Sequence, residues 1–595
     1  MAPGVLLFTH LFLTAASAVV GKAARDAIFL GHFTPLQMTG VDLATMAVVA
    51  GVVGLQLRLR VRLPVRRVLI LAPLCLAAGE AALWVGLSTL GPRAGGMVYV
   101  WVGVQASIMA AHTSVLAGRV LSLRQARQMC GWLGAGAIGG WIGGGLIARL
   151  LAPRLGAASL LLVSALLTAA CPVIVAVLWR ARDEPATGTP LVGRAGSLRV
   201  SASVVWQSPH LRSLSVLAFV SAAVTTIAGL QFKVIASQSM SGTDHLAAAF
   251  GSFSFYAGLV ALATQLLVTP RVIGRFGLGP ALAIAPAALA AGSGAVLWSG
   301  TLAAAMFMKG SDQVLRYSVD RAATELLYRP LPARDVFEGK TFIDAIVCRC
   351  GDAAGALLAL LAAAVLHLGF SSLGAVTMPL LLVWLLAARA ATRAYRAQLL
   401  DGLVHELPCA LPARSSGPAF ARRSRRGAKV VTRGILDPDP GTRLRVLRTL
   451  TTGRPNRSRV RRSSSLLTTA LAAESVGLAV LVDAVSSPGA SWAEHREEGI
   501  DAIERISRLL FLLSPERYPG CLALAIRSGD LSTEARAQAY LDTTLASPHR
   551  QFLMSLLDRW ALAAAANGGA TRPAAVFTAS LASVKGVWAR VTHVY

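Results

Sequence analysis

Between Met308 and Asp352 the chain reads MKGSDQVLRYSVDRAATELLYRPLPARDVFEGKTFIDAIVCRCGD, a cluster of charges set among apolar segments. On a helix turning about 100° per residue, Lys309, Asp312, Arg316 and Asp320 fall within a stripe of roughly 80°, with alternating sign. If such a helix crosses a membrane, four ionisable groups on one stripe are too costly to face lipid. They must line the inside of a bundle or a water-filled path. Two kinds of chemistry suit that arrangement: the stripe binds a charged solute, or it fixes helix packing as a ladder of ion pairs.

A second charged group lies near the amino terminus. In GKAARDAIFL, the residues Lys22, Arg25, Asp26 and Phe29 follow i, i+3, i+4, i+7 spacing and share one helical face. Either they point inward, or they snorkel from a helix end. Arginine outnumbers lysine 51 to 6, yet four of the six lysines, Lys22, Lys233, Lys309 and Lys340, sit in or at the ends of apolar segments. Lysine is a compact point charge that can meet a phosphate or carboxylate, and arginine does not replace it freely.

Other motif-like runs carry no chemistry. Gly339-Lys340-Thr341 looks like the end of a phosphate-binding loop, but Arg334 stands where the first glycine belongs. Gly134-x-Gly136-x-x-Gly139 matches a dinucleotide fingerprint without a preceding strand; Gly136, Gly140 and Gly144 instead mark a smooth helix face that allows close approach. The seven cysteines show neither metal-ligand nor disulfide-framework spacing, so neither a metal nor a cofactor is expected, and no catalytic motif suggests an enzyme.

These charges need elements to hold them. With 55% hydrophobic and 14% charged residues, the 595-residue chain has the composition of a membrane protein. Apolar segments are expected at about residues 5–30, 41–57, 68–90, 96–116, 130–150 and 157–178, and again at 214–236, 246–268, 278–298, 302–327, 341–367 and 373–390. A polar linker over 180–212 separates the two sets of six. Arg58, Arg60, Arg62, Arg66 and Arg67 in one expected loop, and Arg119, Arg124 and Arg127 in another, place that side in the cytoplasm, with both termini there too. The fold class is therefore all-α: a polytopic membrane protein of about twelve transmembrane helices in two six-helix halves, 1–179 and 213–395. A basic juxtamembrane linker (396–430) and a helical domain (431–595) follow.

This layout resembles the major facilitator superfamily. Four phrases narrow the resemblance: KAARDAIFL, QFKVIAS, LRYSVDRAATELLYRPLP and GKTFIDAIVCRCGD are similar to the ATP/ADP translocase branch, the nucleotide exchangers of plastids and intracellular bacteria and their bacterial relatives. The resemblance implies a bacterial inner-membrane transporter of anionic solutes, nucleotides among them, working by alternating access. Carried over by motif, Lys22, Arg25 and Asp26 match the charged first helix of that branch, and Lys340 and Asp344 its Gly-Lys-x-x-Ile-Asp pattern. From the charge pattern itself Lys22, Arg25, Lys309 and Arg316 are expected to attract the anion and Asp26, Asp312 and Asp320 to hold those cations, with Lys233 and Asp352 further candidates for the site. At Asp352 the exchangers carry lysine, and no acid occurs in the fourth or eighth segment where they carry one.

The tail differs in kind. Sixteen of the 29 acidic residues lie after position 400, in short amphipathic stretches that read as stacked helix pairs. They resemble the HEAT-like carboxy-terminal region of some bacterial relatives of the translocases, so a protein partner is expected there. The net charge of +28 would point to nucleic acid in a soluble chain; here ARSSGPAFARRSRRGAK beside the membrane points to anionic lipid. A second reading follows from the tail and Asp352: a non-transporting, membrane-anchored scaffold or sensor acting through its solenoid.

Overall fold

The computed structural model describes residues 3–62, 65–91, 93–120, 123–180, 198–365, 367, 369–406, 435, 437, 439–451, 464–485, 492–513, 531–544 and 553–562. These residues form helices and short connections, with no strand among them. The chain divides into two compact units, Met1–Tyr395 and Arg396–Tyr595.

In the first unit the helices are α1 (Pro3–Leu30), α2 (Pro35–Arg62), α3 (Val65–Leu90), α4 (Arg93–Val120), α5 (Leu123–Leu155) and α6 (Leu160–Arg180). Then come the short α7 (Leu198–Gln207), α8 (Pro209–Ser239), α9 (Thr243–Ala263), α10 (Thr269–Phe276), α11 (Leu278–Ser299), α12 (Leu302–Leu315), α13 (Arg321–Leu327), α14 (Ala333–Phe342), α15 (Cys348–Ala364) and α16 (Gly374–Glu406). Three π-helical turns, Thr264–Val268, Arg316–Asp320 and Ile343–Val347, join α9 to α10, α12 to α13 and α14 to α15.

Among the described residues ten helical runs are long and apolar enough to cross a membrane: α1, α3, α4, α5, α6, α8, α9 continued by α10, α11, Glu338–Ala364, and α16. The protein is an integral membrane protein on that ground. The other two expected segments are also helical. In α2 the apolar helix counted is the shorter Leu36–Val49. Across Leu302–Leu327, Lys309, Asp312, Arg316, Asp320, Arg321 and Glu325 interrupt the apolar sequence, which is why hydropathy passes over the helix with the densest chemistry. The basic stretches expected as loops are mostly helix: α2 runs to Arg62 and α3 begins at Val65, while α5 begins at Leu123. Of the expected 180–212 linker, residues 181–197 lie outside the described part and α7 occupies 198–207.

Small residues set the close crossings. A Cβ at Gly140 would run into the Phe12 backbone and one at Gly144 into that of Ala16, so α5 lies directly against α1. In the second set of helices a Cβ at Gly355 would meet the Ala223 backbone and one at Gly351 that of Phe219, placing α15 against α8 in the same way. Gly300, in the left-handed region at φ 61°, closes α11, and the Thr301 hydroxyl then accepts from the Ala304 amide to start α12. A buried apolar cluster of Phe29, Tyr99, Ile227, Leu230, Ala359 and Leu373 packs α1 and α4 against α8 and α15, which brings the two halves together.

The second unit contains α17 (Pro440–Thr451), α18 (Ser464–Val485), α19 (Trp492–Leu513) and α20 (Leu531–Thr544), with a further helix over 553–562. Both α17 and α18 pack on α19. Buried ion pairs lock the three. Glu474 on α18 accepts from Arg505 Nε (2.9 Å) and Arg443 Nε (2.6 Å), and Glu504 on α19 accepts both Nε (2.8 Å) and Nη2 (2.7 Å) of Arg448. Arg508 adds a second cation to Glu504 at 2.8 Å. Burial pushes the Glu504 carboxyl up, but the Arg448 hydrogen bonds and the Arg508 charge outweigh it and hold it down at about 2. Of the basic linker expected over 396–430, residues 396–406 are the end of α16 and the rest lies outside the described residues.

Candidate functional site

The α1 face that spacing defines does turn inward. Arg25 Nη2 lies 2.8 Å from Asp26 Oδ1, and Lys233 Nζ, from α8 in the other half, lies 3.2 Å from Asp26 Oδ2. One carboxylate thus bridges cations from both halves. Phe29, one turn further, stacks on Phe33 and meets the Tyr99 ring edge-on at 5.0 Å, which fixes the helix next to the charges.

The α12 stripe is built on the same plan. Asp312 Oδ2 accepts from Lys309 Nζ at 2.7 Å, and its Oδ1 lies 2.9 Å from the Thr225 hydroxyl and 3.4 Å from Arg316 Nη2. Arg316 also reaches the Ser221 carbonyl of α8 at 3.5 Å. Asp312 is buried, at 2% side-chain exposure, whereas Arg316 keeps 34%. The carboxylate is therefore a fixed anchor and the guanidinium its accessible partner. Arg316 and Asp320 fall in a π-helical turn, a feature that opens the backbone ladder and is common at functional sites.

Lys22 differs from every other cation here. It is exposed and makes no ion pair among the described residues. Electrostatically it feels Lys233 and Lys309 of the second half as well as Arg25 and Asp26 beside it. Lys22 therefore lies within electrostatic range of cations on α8 and α12 of the other half.

Several participants have no sequence signal. Tyr99, fully buried in α4, donates to Asp42 Oδ1 at 2.6 Å and receives Lys233 Nζ at 3.2 Å, while the Arg25 guanidinium lies over its ring at 4.1 Å. A single tyrosine in an apolar helix is ordinary, and only packing reveals its partners. Neighbouring Thr225 and Thr226 on α8 serve Asp312 and Asp352 respectively; the Asp352 Oδ1 contact is 3.1 Å, and Arg349 Nη1 reaches Oδ2 at 3.2 Å.

The remaining candidates form a separate group. Lys340 pairs with Glu325 at 2.5 Å and lies over the Tyr328 ring at 5.5 Å, and Asp344 sits in the third π-helical turn, where it feels Lys340, Glu325 and Arg321. Among the described residues Arg25, Lys233, Lys309, Arg316 and Arg349 are each ion-paired to Asp26, Asp312 or Asp352, and Lys22 is not.

Comparison with known proteins gives distant relatives. The chain is 24% identical over 258 residues to "ADP,ATP carrier protein 1" of Chlamydia trachomatis, an alignment covering 38% of this chain and 48% of that protein. With "ADP,ATP carrier protein 1" of Chlamydia muridarum it shares 24% identity over 182 residues, 27% of this chain and 34% of the other. Among solved structures, an inward-facing bacterial homologue of the iron transporter ferroportin superposes with a TM-score of 0.46 at 12% identity, covering 65% of this chain and 98% of that one. The nucleoside transporter NupG gives 0.41 at 11%, covering 67% and 99%. No family profile matches the chain. The alignments span about half the length, or less, of the curated relatives they match.

Proposed function

We propose that this chain is a secondary membrane transporter that moves an anionic solute by alternating access between its two six-helix halves, with nucleotides the first solutes to try. The observation that carries this reading is Lys22, an exposed cation without an ion pair, set opposite Lys233 and Lys309 of the other half. An anion entering that space gains Lys22 outright and competes for the cations that Asp26 and Asp312 hold in its absence. Asp26 already bridges the halves through Lys233, so a solute that displaces it changes what holds the halves together.

In this reading α2 and the charged run Leu302–Leu327 also cross the membrane, making twelve spans in a bacterial plasma membrane with both termini in the cytoplasm. The basic stretch before residue 430 meets anionic lipid. The helical second unit, read as HEAT-like, carries regulation or a protein partner and no chemistry. The distant likeness to the ADP,ATP carrier proteins supports a nucleotide as the first anion to test.

The test is counterflow in proteoliposomes. With ADP inside, labelled ATP should enter by a route that depends on the internal nucleotide; with other organic anions inside, entry ranks the preferred class. Absence of any anion-dependent entry, from protein shown to be folded, would overturn the proposal.

A further inference from the structure

Away from the charge cluster, α3 carries Glu80 with no accessible surface at all. Its partners are neutral. Oε1 lies 3.0 Å from the Ser164 hydroxyl of α6, and Oε2 lies 3.1 Å from Gln105 Nε2 of α4. Gln105 Nε2 also reaches Ser164 Oγ at 3.3 Å and Thr168 Oγ1 at 2.7 Å, and Ser164 Oγ lies 3.1 Å from the Ser17 carbonyl of α1. No cation pairs with Glu80 among the described residues. The helices packed around it also carry His10, Lys22, Arg25 and Asp26 on α1, Arg93, Tyr99, His112 and Arg119 on α4, Cys171 and Arg180 on α6, and Arg66, Arg67 and Cys75 on α3 itself, and no hydrogen bond or ion pair joins any of them to Glu80 among the described residues.

Counting hydrogens decides the protonation state. The Ser164 hydroxyl has one hydrogen and lies within hydrogen-bond distance of two oxygens, the Ser17 carbonyl and Glu80 Oε1. With the carboxyl ionised, one of those contacts sets two acceptors against each other with no hydrogen between. Gln105 Nε2 likewise has two hydrogens for three oxygens, and Gln105 Oε1 is buried without a partner, so the whole cluster is short of hydrogens. One proton on Oε1 resolves the conflict: Glu80 donates to Ser164, and Ser164 donates to Ser17. A buried carboxylate with no cation would carry a large uncompensated desolvation cost, which the same proton removes.

We infer that Glu80 is a proton-binding site of the amino-terminal half, its ligand a single H⁺ held by the Ser164–Gln105–Ser17 cluster and released when α1 withdraws from α3 and α6. The position links it to the solute site. A Cβ at Gly21 would lie 3.0 Å from Ser164 Oγ and 3.5 Å from Glu80 Oε1, so the carboxyl packs against the α1 backbone at the residue next to Lys22. A movement of α1 that repositions Lys22 also breaks the Ser164–Ser17 contact and admits water to the carboxyl.

The proton can be read without any transport assay, so the outcome stands apart from that of counterflow. Infrared spectroscopy of the purified full chain in lipid at pH 7 should show the C=O stretch of a protonated buried carboxyl that is lost in Glu80→Gln. The amide mimics the neutral acid, so Glu80→Gln should keep the melting temperature within a degree or two, whereas Glu80→Ala should lower it. A wild-type spectrum indistinguishable from that of a folded Glu80→Gln variant would overturn the inference. So would a large loss of stability in Glu80→Gln, the mark of an ionised group in a structural role. For the linkage to α1, Gly21→Ala should shift or weaken the same band; a band unchanged in position and intensity would overturn that part.

Discussion

Two sets of ion pairs, one in each unit, use opposite designs. In the second unit Glu474 and Glu504 pair with arginines, in close and partly bidentate contacts. In the membrane unit the carboxylates Asp26 and Asp312 hold a lysine and an arginine each, partly exposed, with threonine and tyrosine hydroxyls at the margins. Arginine's planar fork suits a closed, permanent pair; the lysine ammonium suits a partner that is exchanged. On the proposed function the difference is that between a structural lock and a site for an anion, with Lys22 the residue that marks it.

The largest expected effect breaks the lock. Arg505 and Glu474 are each 6% exposed, so Arg505→Met leaves a buried carboxylate with less compensation and should cost about 3 kcal/mol. Hydrogen exchange over 492–513 in the full chain measures it, and solute binding should not change. Acid should act on the same unit. Because the Glu504 carboxyl sits at about 2, its contribution is complete above the ordinary glutamate value near about 4.3 and is lost as pH falls from there toward about 2. Protection factors over 492–513, corrected for the intrinsic exchange rate, should therefore fall through that window, and Glu504→Gln should remove that fall.

The next effect sharpens the contrast. Lys22 has no structural pair to lose, so Lys22→Gln should leave the melting temperature unchanged while weakening anion binding roughly 50-fold, the scale of one charge-assisted contact. The smallest effect belongs to Tyr99, whose hydroxyl joins Asp42 to Lys233. Tyr99→Phe should keep the Arg25 contact over the ring and cost about fivefold in affinity, near the value of one neutral hydrogen bond.

Helical spacing made part of this legible. Lys22, Arg25 and Asp26, and Lys309, Asp312 and Arg316, could be placed on shared faces because charge inside an apolar segment is rare and period 3.6 fixes who neighbours whom. Which side chain reaches which acid on another helix was not legible. Lys233 to Asp26, Thr225 to Asp312 and Tyr99 to Asp42 are set by close crossings such as Gly140 on Phe12 and Gly355 on Ala223, and such crossings have no local signature. Hydropathy, in turn, finds ten spans because the charges that make Leu302–Leu327 interesting also make it polar. Glu80 shows the same limit: a lone glutamate in an apolar helix becomes informative only when its hydrogens are counted.

The most direct test is equilibrium binding to the purified full chain, by calorimetry with ATP, ADP and simple organic anions, on wild type and Lys22→Gln side by side. Saturable binding of at least one anion, weakened roughly 50-fold in the variant at unchanged melting temperature, is the expected result. Equal affinity in the two proteins, or no binding of any anion by folded wild type, would contradict an anion site between the halves.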